Sequence, residues 1–156
     1  MKFYLPMLAV IISGIVSCQS ETSKPVASAV TVKDSLPISP DISGCYRMII
    51  EQDTASMQIT QQGDSVSGNL SYYPYEKDRN VGGFRGTRKS NIIDVWYTFQ
   101  SEGKTSTRQS SFKIIGNTLA EGYGDVTMES DTIIFKYPTA NLNYEDKHPF
   151  TKITCP

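Results

Sequence analysis

The chain has 156 residues, of which 38% are hydrophobic, 10% aromatic and 20% charged: one domain's worth of chain with enough apolar material for a core. A formal net charge of −1 gives no electrostatic grip on nucleic acid, and one His with three Cys is too little for a protein-only zinc site. No cofactor, metal site or catalytic set is read from this composition.

The first element is an uncharged run, "FYLPMLAVIISGIV", from Phe3 to Val16, preceded by Lys2. It is shorter than the roughly 20 apolar residues of a membrane-spanning helix and fits the apolar region of an export signal. "IVSC", Ile15 to Cys18, then resembles the lipobox of bacterial lipoproteins, an aliphatic residue and a small one placed before an invariant cysteine. The resemblance implies a diacylglyceryl group on the Cys18 thiol, cleavage between Ser17 and Cys18, and acylation of the freed amine. Each buried methylene contributes about 0.8 kcal/mol, so two or three acyl chains hold a domain on a membrane durably. A plain secreted protein, or an uncleaved anchor, is the competing reading. Gln19, where an Asp would mark inner-membrane retention, directs the expectation to the outer membrane of a cell envelope.

Residues 19–40, "QSETSKPVASAVTVKDSLPISP", carry three prolines and no aromatic residue, the composition of a flexible tether. The expected organisation is therefore a signal peptide over 1–17, a lipidated cysteine and tether over 18–40, and a folded domain over 41–156. Loss of residues 1–17 removes one of the 15 basic residues, Lys2, and none of the 16 acidic ones, leaving a net charge of −2 and no polybasic hold on anionic lipid. With Cys18 acylated, Cys45 and Cys155 remain as an even pair in an oxidising compartment, which predicts a disulfide, two free thiols being the alternative. Such a bridge brings the domain's two ends together.

From Asp41 onward turn signals recur about every ten residues, among them "QQGDS", "RKSN", "QSEGK" and "IGN", between runs rich in Ile, Val, Thr, Tyr and Phe. No helical apolar period is sustained. The spacing predicts an all-β, antiparallel up-and-down meander with strands at 44–51, 54–60, 65–73, 81–88, 91–100, 104–115, 117–124 and 132–137. Joined ends favour an eight-stranded barrel over a sandwich, because closure removes exposed edges. The predicted core is Met57, Ile59, Val66, Leu70, Tyr72, Phe84, Ile93, Val95, Tyr97, Phe99, Phe112, Ile114, Leu119 and Tyr123.

"GCY" at Gly44 to Tyr46, the hairpin "MQITQQGDSVSGNLSY" and the later Gly-Asn turn resemble the calycin-type barrels, lipocalins and avidins among them. That resemblance implies a barrel with a small ligand in its mouth. Tyr46 stands where many members have Trp, and no ligand-binding motif carries over.

Several constellations invite chemistry. "SEGKTS" lacks the earlier glycine and the following helix of a phosphate-binding loop. "GGFRG", 82 to 86, reads as strand curvature. His148, in "DKHPF", reads as an exposed loop residue. Glu102, Glu121 and Asp125 are the material for a carboxylate-based hydrolase. The triplets "DSL" at 34, "DTA" at 53, "DSV" at 64 and "DTI" at 131 resemble Asp-Ser/Thr-aliphatic O-glycosylation acceptors of some Gram-negative lineages, and are also common turn chemistry.

Strand parity supplies the sharper expectation. Phe84 facing inward places Arg88 inward, Phe112 places Arg108 inward, and Leu119 with Tyr123 brackets Glu121. An interior charge is costly unless paired, so Arg88 or Arg108 is expected to meet Glu121 or a bound anionic group near the barrel mouth. Tyr73 and Tyr75, in "YYPYEKDRN", form a candidate partner surface. The expected function is non-enzymatic binding of a small amphipathic ligand or an envelope partner, at a membrane held through the lipid anchor. A structural or stress-related envelope lipoprotein without a ligand cavity is the second reading, and the hydrolase the third.

Overall fold

In the computed structural model the described residues are 40–156, and the signal segment, Cys18, the tether up to residue 39 and the triplet at 34–36 lie outside them. Ten strands follow in chain order: β1 (Gly44–Ile50), β2 (Asp53–Gln62), β3 (Ser65–Tyr73), β4 (Asn80–Lys89), β5 (Ile92–Ser101), β6 (Lys104–Ile115), β7 (Thr118–Tyr123), β8 (Val126–Glu129), β9 (Thr132–Phe135) and β10 (Asn143–Ile153). Asp64 and Asp131 stand in two-residue hairpin turns and Asp53 opens β2, so the described Asp-Ser/Thr triplets occupy turn and strand-start positions.

β1 to β7 pair antiparallel in sequence order, β7 pairs with β10, and β10 returns to β1, closing an eight-stranded barrel. Alternation drives this arrangement. In β5, Ile93, Val95 and Tyr97 are buried while Asp94, Trp96 and Thr98 point outward. The inward set from the eight barrel strands forms one cluster, in which Leu70, Tyr97, Phe112 and Phe150 are completely enclosed. Phe150 meets Phe112 edge to face with ring centroids 5.9 Å apart, and Tyr72 likewise at 6.4 Å, so side chains fill the barrel's middle. Gly82 and Gly86 explain the "GGFRG" run: a Cβ at either would strike the backbone of β5, at Thr98 and Asp94. Close strand approach, not a ligand cradle, requires them.

Cys45 and Cys155 are bridged with Cα atoms 5.1 Å apart, tying β1 to the chain end beyond β10 across 110 residues. In the chain-entropy view a loop of that size contributes about 4 to 5 kcal/mol.

Three expectations need correction. The eighth barrel strand is β10, not residues 132–137: β9 lies outside the barrel and pairs with β6 in parallel only at Thr107 with Thr132 and Arg108 with Ile133. His148 is exposed but sits within β10, at a register shift between Glu145 and Phe150. Tyr123 is 49% exposed, because it ends β7 where the barrel opens.

The excursion from β7 to β10 is fastened to the barrel's outer face by polar groups. The Ser111 hydroxyl donates to Asp94 Oδ1 at 2.7 Å and the Thr139 hydroxyl donates to Asp94 Oδ2 at 2.9 Å. The Tyr144 hydroxyl donates to the Thr139 carbonyl at 2.8 Å and lies 2.9 Å from Ser111 Oγ. No helix among the described residues is long and apolar enough to cross a membrane.

Candidate functional site at the barrel mouth

The barrel has two unlike ends. At one, β1 begins, β4 ends and the disulfide lies. Arg88, the next-to-last residue of β4, turns inward there and is only 6% exposed. Its Nε donates to the Ser90 carbonyl at 2.9 Å, and its Nη1 donates to the Pro40 carbonyl at 2.6 Å and to Gln61 Oε1 at 3.1 Å. The Tyr46 hydroxyl donates to the Ile42 carbonyl at 2.8 Å beside it. These bonds seal the end at which the described chain enters the barrel.

The opposite end is built by the end of β3, the end of β5, the start of β6 and the end of β7. Arg108 and Glu121 meet here, with Nη2 3.6 Å from Oε1 and side chains 30% and 11% exposed. Their separation exceeds hydrogen-bonding range, so the contact is electrostatic. Both carboxylate oxygens are engaged by phenols: Tyr72 donates to Oε1 at 2.8 Å and Tyr123 to Oε2 at 3.2 Å. Arg108 is held mainly by ring faces, its guanidinium carbon lying 5.2 Å from the Tyr72 centroid, 5.6 Å from Tyr97 and 5.8 Å from Phe99. Its Nε is buried and meets no acceptor among the described residues. Tyr97 is locked by donation to the Leu70 carbonyl at 2.9 Å or the Asn80 carbonyl at 3.1 Å and stacks on Phe99 with centroids 4.8 Å apart.

Burial governs the electrostatics. Desolvation pushes the Glu121 carboxyl above its ordinary range, a rise that Arg108 and the two tyrosine hydroxyls only partly offset. Burial also raises Tyr72 well above the usual phenol value, and lifts Tyr97 to about 12, so both stay neutral donors. The mouth thus offers a fixed cation with a free buried N–H, aromatic walls, and a carboxylate that takes up a proton readily.

Of the residues singled out in the sequence, Arg108 and Glu121 come together and Arg88 does not join them. Tyr73 and Tyr75 are exposed on the mouth's rim, where the Arg79 guanidinium lies 5.4 Å from the Tyr73 centroid and the Tyr75 N–H donates to Asp53 at 2.7 Å. Glu102 and Asp125 are exposed on connections, and no described contact brings either to Glu121. Among the described residues no three His, Cys, Asp or Glu side chains gather as metal ligands. The parts played by Tyr72, Tyr97 and Phe99 as walls of an arginine site were missed, although their inward parity was readable.

Fold and site together define a closed antiparallel β-barrel with a guanidinium and a carboxyl set among aromatic rings in one mouth. The chain matches no known family model, no curated protein and no solved structure.

Proposed function

We propose that this is a lipid-anchored protein of the bacterial cell envelope, held through Cys18 on the outer membrane, whose barrel is a non-enzymatic binding module for a small anionic amphiphile. The observation that carries the reading is Arg108: a buried Nε with no acceptor among the described residues, in a guanidinium positioned by three rings. Buried donors are almost always satisfied, and a phosphate or carboxylate entering the mouth supplies the missing acceptor. The apolar part of such a ligand meets Phe99 and the rim carrying Tyr73 and Tyr75. Because side chains fill the barrel's middle, the ligand is held in the mouth and not in a deep cavity. The described residues begin at the other end, where the Pro40 carbonyl accepts from Arg88.

The same filled interior favours the second reading, an envelope protein that works through its surface, with the tyrosine rim as the face for an envelope partner. The hydrolase reading has least support, since Glu121 is engaged by two phenols and an arginine.

Thermal unfolding of the purified protein with octyl phosphate, and with octanol as the uncharged control, tests the proposal. Saturating octyl phosphate at about 100 times its Kd adds about 2.7 kcal/mol, a rise in Tm on the order of 10 °C for a domain of this size. Octanol gives no comparable rise, and neither does octyl phosphate with Arg108→Gln. Equal response to both compounds, or none to octyl phosphate at millimolar concentration, overturns it.

A further inference from the structure

A concavity lies on the outside of the barrel, apart from the mouth. The outward faces of β2 to β6 form a groove of about 1260 Å³. Across its centre runs a row of register partners, with Ser67 opposite Arg85, Arg85 opposite Trp96, and Trp96 opposite Gln109. Trp96 is the only tryptophan of the chain, yet it stands 47% exposed at the middle of a strand whose other aromatic residues, Tyr97 and Phe99, turn inward. Beside it, Gly83 presents no side chain at all. A Cβ there would meet only the Gly68 carbonyl oxygen, at 3.6 Å, so the position is open floor and not a crowded contact.

The charge and hydrogen-bonding character of this groove narrow its occupant. Apart from Arg85 its one charged side chain is Asp94, whose carboxylate oxygens are already engaged by Ser111 and Thr139. Gln109 accepts the Phe135 N–H on Oε1 at 3.1 Å, which fixes its amide and leaves the NH₂ as a donor. Nucleic acid asks for many cations, and an amphipathic helix asks for an apolar stripe; the outward side chains supply neither. Neutral hydroxyl and amide groups around one exposed indole match a pyranose ring, which presents a C–H face to the indole and a rim of hydroxyls to donors and acceptors.

We propose that this groove is a binding site for an uncharged oligosaccharide, with Trp96 as the stacking platform, Gly83 as the floor, and Arg85 and Gln109 as polar grips. The sole tryptophan is its own reporter. Titrating the full-length protein with maltohexaose, cellohexaose, xylohexaose, mannohexaose and chitohexaose while following tryptophan emission is expected to give a saturable change with at least one of them. Gly83→Leu, which places a side chain over the floor, is expected to keep the wild-type Tm and weaken that binding at least about tenfold, or 1.4 kcal/mol. Arg108→Gln is expected to leave it unchanged, which separates this site from the mouth. No saturable change with any of these sugars at millimolar concentration, or undiminished binding by Gly83→Leu, overturns the proposal.

Discussion

Arg88 and Arg108 are the same side chain with the same inward parity, at opposite ends of one barrel, and their surroundings assign them different work. Arg88 donates to three acceptors supplied by its own chain and closes an end. Arg108 rests on three ring faces, keeps a buried Nε without an acceptor among the described residues, and faces a carboxylate already engaged elsewhere. A buried cation whose donors are used is part of the structure. A partly exposed one that rests on ring faces, with its Nε unpaired among the described residues, is the proposed ligand contact.

Substitution separates the two ends. Arg88→Met keeps the apolar stem but strands the Pro40 and Ser90 carbonyls, and is expected to cost about 3 kcal/mol by chemical denaturation while leaving octyl phosphate binding intact. Arg108→Gln is expected to change stability by less than about 1 kcal/mol, since its ion pair is long and partly solvated, while abolishing the octyl phosphate response. A large stability loss at Arg108 with none at Arg88 would invert the assignment.

The smallest effect is the pH dependence at Glu121. Burial raises its folded-state pKa, so the folded protein holds this proton more tightly than the unfolded chain does. Its stabilising contribution is therefore fully present below the ordinary glutamate value and is lost as pH rises through the raised one. As pH rises from about 4 through the raised value, the wild type is expected to lose stability relative to Glu121→Gln. Parallel profiles for the two proteins would show that Glu121 titrates normally.

Much of this fold was readable because antiparallel strands with one buried face alternate, and because most turns are two residues long. Both arginines and Glu121 were correctly placed inward by parity. What hid β10 was its register shift: Asp146 to Pro149 supply no buried apolar residue where pairing with β7 lapses, so the period fades until Phe150. "TIIF" in β9 imitated a core strand but is half-buried on the barrel's outside. Tyr123 kept its parity and lost its burial because the last residue of β7 reaches the open end. Strand direction alone, up and down, would have set Arg88 at the end of β4 and Arg108 near the start of β6 at opposite ends. The aromatic cage is different, since it depends on strand tilt bringing Tyr72 over Arg108, and parity does not contain tilt.

Arg108 keeps an Nε donor unpaired among the described residues and Arg88 does not. The arginine Nε–H resonances of both residues, followed by NMR during titration with octyl phosphate, read that difference atom by atom. The expected result is a saturable downfield shift of the Arg108 Nε–H with slowed solvent exchange, and no change at Arg88. An Arg108 resonance that stays fixed, or two arginines that move together, would contradict it.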